Sequence, residues 1–108
     1  MSFLFQPLQL RNIVLKNRIG IPPMCQYSAQ DGMAADWHFV HYGSRAVGGA
    51  GLMIVEATAV APTGRISRGD LGLWKDEQIA PLARIVELAR AHGCVPALQP
   101  PATIPPTH

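Results

Sequence analysis

A chain of 108 residues has room for one small domain and falls far short of the ~250 residues of a complete eight-stranded α/β barrel. Its composition, 48% apolar and only 15% charged, excludes a disordered acidic or basic tail and reads as globular core material. Nine basic against seven acidic side chains give a net charge of +2 without the clustered Lys/Arg stripe of a nucleic-acid surface, so nucleic acid is not an expected partner.

The N-terminus, Met1 to Pro7, lacks a basic start followed by a long apolar run, and no stretch reaches the ~18 apolar residues of a membrane span; a cytoplasmic protein without a membrane partner is expected. Leu8-Gln9-Leu10 and Ile13-Val14-Leu15 flank Arg11-Asn12 and predict a hairpin. Ile19-Gly20-Ile21 reads as a brief buried strand, ended by Pro22-Pro23 because proline has no amide to give a sheet ladder. Met24 to Asp36 is a long polar loop. Asp36 is expected to cap a helix from about Trp37 to Ala46, with Trp37, Val40 and His41 at helical spacing and Gly48-Gly49 as the stop.

Leu52 to Ala57 is a continuous apolar run of the kind buried on both faces of a parallel sheet. Thr63 to Gly72 is a polar, glycine-rich excursion. A second helix follows with Ile79, Leu82, Ala83, Val86 and Ala89 as its apolar face, Pro81 in its first turn and Gly93 as its stop. Cys94 to Gln99 predicts a third strand, although its interior Pro96 argues against a central position. Pro100 to His108 contains four prolines and is expected to be irregular or polyproline-like, giving a domain over residues 1–99 and a tail over 100–108.

A hairpin plus βαβαβ makes a parallel sheet with right-handed crossovers. Periodicity alone leaves an open doubly wound sheet and part of a closed barrel both available, and no GxGxxG follows the first strand. Cys25 and Cys94 have neither CxxC nor zinc spacing, so no disulfide or structural metal is expected. His38 and His41 lie three apart with no third ligand and are read as helix packing. Gly48-Gly49-Ala50-Gly51 reads as a helix stop, and Arg65 and Arg68 as solvated or paired loop residues.

Ligands in parallel α/β sheets bind beyond the carboxyl ends of the strands, which singles out Pro22 to Tyr27, Glu56-Ala57-Thr58 and Gln99. On the residues alone, Cys25 is a buried inert thiol or a tuning group, and Tyr27 a loop anchor or a hydroxyl donor. Likewise Ala57 is strand-end packing or an exposed amide, and Gln99 a solvated strand end or a two-way hydrogen-bonding group.

Five stretches bear on that choice: Leu15-Lys16-Asn17-Arg18-Ile19, Pro23-Met24-Cys25-Gln26-Tyr27-Ser28, His41-Tyr42-Gly43-Ser44-Arg45-Ala46, Val55-Glu56-Ala57-Thr58-Ala59-Val60 and Gly64-Arg65-Ile66. In these, in order from Phe5 to Gln99, the sequence resembles the old yellow enzyme family of NADH:flavin oxidoreductases, in its bacterial ene-reductase branch with a cysteine near the flavin. The resemblance implies the N-terminal part of a TIM (β/α)8 barrel, a hairpin covering its bottom and about three of its eight strands. It also implies non-covalent FMN across the top, NAD(P)H as reductant and a small enone-type substrate whose activated C=C bond is reduced. Carried over, Pro22, Pro23, Met24 and Cys25 would border the isoalloxazine ring. Ala57 would offer its amide and Gln99 its carboxamide to the pyrimidine edge, and Tyr27 would direct its hydroxyl at the substrate carbonyl, with Cys25 tuning the ring.

After Gln99 the family continues with a Leu-Ala-His-Ala-Gly-Arg type sequence, where this chain has Pro100-Pro101-Ala102-Thr103. The family's substrate-binding histidine pair, flavin-side arginine and phosphate site belong to later strands. The expectation is a truncated, inactive fragment whose change of sequence resembles a frameshift or a premature stop. Two alternatives stay open: a partial barrel that completes the site by oligomerisation through its exposed edges, or a non-catalytic binding module.

Overall fold

In the computed structural model, which describes residues 3–99, the chain opens with the expected hairpin. Strand β1 (Leu8–Leu10) runs antiparallel to β2 (Ile13–Leu15), and Arg11 takes the left-handed φ of 54° that so tight a connection demands. The Pro-rich tail expected from Pro100 onward lies outside the described residues.

Three strands form the predicted parallel sheet. β3 (Gly20–Ile21) pairs with β4 (Leu52–Ala59), and β4 pairs with β6 (Val95–Gln99). Helices α1 (Asp36–Val47) and α2 (Ile79–Ala91) make the two crossovers. The excursion after β4 also contains β5 (Leu71–Gly72), which pairs parallel with Thr58 and Ala59; two residues are too few to show a period, so the sequence reads only a loop there. No helix among the described residues is long and apolar enough to cross a membrane.

Pro96 is compatible with β6 because of the side its nitrogen faces. The Val95 N–H donates to the Gly51 carbonyl, 3.0 Å away, so the alternation of a parallel ladder turns the next residue's nitrogen away from β4. At that open edge no donor is needed.

The core lies between the sheet and the helices. Met53 and Val55 of β4 meet Tyr42 and Ala46 of α1 and Leu82, Ile85 and Ala89 of α2. The helices touch at Gly43, where a Cβ would stand 2.5 Å from Leu88 Cδ2. At the helix C-termini, Gly49 (φ 109°) and Gly93 (φ 73°) take the left-handed conformations expected of stop glycines.

Two expectations about the helices are corrected. The N-cap of α1 is Ala35, whose N–H donates to His38 Nδ1 at 2.9 Å; Asp36 is the first helical residue, and its exposed carboxylate only approaches Arg84, at 3.8 Å. The buried face of α1 is His38, His41, Tyr42 and Ala46, while Trp37 and Val40 are exposed. Hydropathy counts histidine and tyrosine as polar, yet Tyr42 and His38 are buried with hydrogen bonds to Glu56 and the Ala35 amide, and His41 is buried in ring contact with Trp37 and Tyr42. In α2, Leu82 and Ala89 are buried as expected, Ile85 joins them, and Ile79 is exposed. Ile79 instead lines a groove of about 390 Å³ with Leu73, Leu82, Ala83, Val86 and Leu98, on the flank where β6 has no further strand beside it.

This assignment predicts opposite outcomes for two truncations followed by urea denaturation. Met53→Ala, at a fully buried position, should cost about 2–5 kcal/mol. Val40→Ala, on the exposed face, should stay within about 0.5 kcal/mol of the parent. The reverse order would restore the face read from periodicity.

Candidate functional site

Beyond Ile21 the prolines carry the chain out of the sheet, and Met24 to Tyr27 crosses the carboxyl end of β4. Gln26 staples this segment. Its backbone N–H donates to Glu56 Oε1 (3.3 Å), its carboxamide donates to the Met24 carbonyl (2.8 Å), and its side-chain oxygen accepts from the Trp37 indole (3.0 Å). Tyr27 then takes a φ of 54°, an unusual conformation for a bulky residue. It is held there from the far side by Gly69, on which a Cβ would lie 2.4 Å from the Tyr27 carbonyl oxygen, and by the Ala29 N–H donating to the Gly69 carbonyl at 2.9 Å. Buried Asp70 braces the same excursion by accepting from the Ile66 and Ser67 amides and the Ser67 hydroxyl.

The Cys25 thiol is half-buried beside the Ala57 backbone. Burial pushes this thiol above its ordinary range, with the carboxylates of Asp70 and Glu56 adding to the effect against the pull of the Ala57 amide. At neutral pH it is a polarisable S–H group and not a nucleophilic thiolate. Ala57 stands opposite Gln99 across the β4–β6 ladder. The Gln99 carboxamide, half-buried, has no hydrogen-bond partner among the described residues, and it borders a recess of about 210 Å³ with Thr58, Val60, Leu73 and Leu98. Pro22 and Met24 are exposed, Pro23 is half-buried, and the Tyr27 ring stands at the rim, 64% exposed.

Below this wall lies a polar cluster that the sequence reading did not assemble. The β4–β6 register shifts between Val55 and Ala57, leaving Glu56 opposite no residue of β6. Such an irregularity re-aims a side chain, and the Glu56 carboxylate, 1% exposed, is directed at α1. Tyr42 donates its hydroxyl to Glu56 Oε2 at 2.5 Å and accepts from the Glu56 N–H at 2.9 Å, while His38 Nε2 stands 3.6 Å from Oε1. Burial, then the bond to Glu56, holds the Tyr42 phenol well above its ordinary range. One signal was available in advance: a carboxylate inside an otherwise apolar strand must have partners.

The other residues singled out by sequence take ordinary roles. Burial, assisted by Arg45, keeps the His41 imidazole below its usual range, and no cluster of three or more metal-ligating side chains occurs among the described residues. Arg65 donates to the Pro62 carbonyl at 3.1 Å and lies over the Trp74 ring at 5.2 Å.

A hairpin beneath a parallel strand–helix–strand–helix–strand series, with a ligand wall at the strands' carboxyl ends, defines the opening of an α/β barrel. The sequence model of the NADH:flavin oxidoreductase / NADH oxidase family matches residues 3–101, and the chain belongs to that family. It is 54% identical over 101 residues to an NADPH dehydrogenase of Listeria monocytogenes, covering 92% of this chain and 30% of that protein. An NADPH dehydrogenase of Geobacillus sp. is 48% identical over 100 residues, covering 91% and 29%. Among solved structures, morphinone reductase superposes with a TM-score of 0.82 at 38% identity, over 93% of this chain and 27% of that one. Old Yellow Enzyme from Pichia sp. AKU4542 gives 0.83 at 30% identity, over 92% and 26%. The fold is thus the N-terminal part of a TIM barrel, and the chain spans about 30% of the length of the curated relatives it matches.

Two pH experiments follow. Alkylation of Cys25 by iodoacetamide should be slow at neutral pH and still be climbing above pH 9.0, the thiol's ordinary value; a rate already level by about pH 8 would reveal a thiolate. Cys25, Cys94 and Tyr42 all titrate above their unfolded values of 9.0 and 10.0. Their contribution to stability is therefore complete below those values and is lost as pH rises through the folded ones. The urea midpoint should hold from about pH 7 to about pH 8 and fall above about pH 9.

Proposed function

We propose that this chain supplies the wall of an FMN site that borders the isoalloxazine ring, in an NAD(P)H-dependent oxidoreductase of the old yellow enzyme type, and that these 108 residues do not turn over by themselves. The observation that carries the reading is the meeting of Cys25, Ala57 and Gln99 at the carboxyl ends of adjacent parallel strands.

The groups present fit a heteroaromatic edge. The wall offers a neutral thiol, a short Ala57 side chain and an unengaged carboxamide able to donate and accept at once. FMN would supply hydride transfer between NAD(P)H and the activated C=C bond of a small enone-type substrate. Gln99 and the Ala57 amide would pair with the pyrimidine edge, while Pro22, Pro23 and Met24 border the ring and Cys25 adds a polarisable sulfur. The exposed Tyr27 hydroxyl would donate to the substrate's carbonyl oxygen. A phosphate needs aligned amides or cations, and Cys25, Ala57 and Gln99 provide neither, so the reading assigns them the ring alone.

Positioning of reactants can account for ~7–11 kcal/mol of a barrier, and one wall cannot position three partners. A second reading, a site completed by association of several copies, draws support from the open β6 edge and the groove beside it.

The test is an assay of the purified chain with excess FMN, NADPH and cyclohexenone, against free FMN and against a Cys25→Ala, Tyr27→Phe double variant. The expected outcome is no protein-dependent turnover. Turnover that the double variant loses would overturn the inactivity and favour the self-completed site.

A further inference from the structure

Glu56 interrupts the apolar run of β4, and its surroundings account for it atom by atom. One carboxylate oxygen accepts the Tyr42 hydroxyl and the other the Gln26 amide. Tyr42 returns a second bond by accepting the Glu56 N–H, so a single hydroxyl grips both the backbone and the carboxylate of one residue. His38 Nδ1 accepts from the Ala35 N–H; in the neutral imidazole this assigns the proton to Nε2, the nitrogen that faces Glu56 Oε1 at 3.6 Å and has no other partner.

The contacts of Gln26 show what this arrangement controls. Its bond to Met24 stays within the loop and its bond to Trp37 goes to α1. Only the bond to Glu56 fastens it to the sheet. Cys25 and Tyr27 are its chain neighbours, so this amide ties the segment carrying both to β4, while Gly69 and Ala29 hold Tyr27 from the other side.

We infer that Glu56 is the positioning residue of this wall: its carboxylate, oriented by the Tyr42 hydroxyl, holds the Gln26 amide and thereby sets where Cys25 and Tyr27 stand. Its meaning for catalysis rests on the flavin reading above. The carboxylate also acts on Cys25 at a distance. The charged groups facing the thiol are Asp70, from the segment before β5, and Glu56, from β4; both disfavour the thiolate.

The experiment uses the full chain without flavin, with Glu56→Gln and Tyr42→Phe variants. Two quantities are read: amide hydrogen exchange at Gln26 relative to the amides of α2, and the pH profile of Cys25 alkylation followed on its own peptide by mass spectrometry. In Tyr42→Phe, exchange at Gln26 should accelerate by about tenfold or more with α2 unchanged, while the alkylation profile stays alkaline because the carboxylate remains. In Glu56→Gln, exchange at Gln26 should likewise accelerate with α2 unchanged, and the profile should move to lower pH because both the facing carboxylate and part of the burial of Cys25 are lost. Wild-type Gln26 protection and a wild-type profile in both variants would overturn the inference. So would loss of α2 protection in step with Gln26, which would make the pair a general folding element. Should Glu56→Gln fail to fold, Tyr42→Phe decides through Gln26 alone. Neither measurement involves FMN, so a failed flavin assay would remove the functional reading and leave this result standing.

Discussion

Strand β4 is hydrogen-bonded to β3, to β6 and, at its far end, to β5, and among the described residues these three strands pair with no other strand. They are two, five and two residues long, and a pair of strands in isolation is marginal at best in water. The sheet therefore exists only as far as β4 supports it, and β4 must be acceptable to neighbours on every side. Met53, Val55, Ala57 and Ala59 meet that demand with apolar, mostly small side chains. Glu56 does not, and a register shift together with two hydrogen-bond donors reconciles its charge with the interior. The site above the sheet is built on that accommodation, because the amide that completes the coordination of Glu56 belongs to the loop carrying Cys25 and Tyr27.

How far the sequence reveals this depends on the range of the interaction. The continuous run over β4, the prolines after β3 and the glycines ending both helices act locally, and each was readable. The buried face of α1 is readable only in part: His38 and His41 read as helix packing and are buried, but periodicity places the exposed Trp37 and Val40 beside them and misses Tyr42, whose burial depends on its bonds to Glu56. The Tyr42–Glu56 pair joins residues fourteen apart on different elements, and the approach of Gly69 to Tyr27 joins two loops; no spacing rule reaches either. Convergence of Cys25, Ala57 and Gln99 was expected from strand order and family resemblance together.

The two flanks of the sheet differ in finish. On the flank beyond β6, Leu73, Ile79 and Leu98 stay exposed along the groove, and Pro96 leaves a gap in the donors of the edge. In a closed barrel the next strand adds at this edge; the chain covers about 27% of the morphinone reductase structure, so apolar surface at that seam is what the fold requires. Pro96 also makes the edge a poor template for indiscriminate pairing. Any covering element must then gain more from the apolar groove than from backbone hydrogen bonds.

The electrostatics of the wall narrow what each group can contribute. A cysteine beside a cationic partner or a helix N-terminus would ionise near neutrality, whereas burial, reinforced by the carboxylates of Asp70 and Glu56, pushes the Cys25 thiol the other way. In the proposed site such a group would act on the ring as a polarisable, uncharged neighbour, able to adjust a potential without adding a negative charge next to an electron-accepting cofactor. The group free for directional recognition in that proposed site is Gln99, at the end of β6, whose carboxamide has no hydrogen-bond partner among the described residues and stands across the ladder from Ala57.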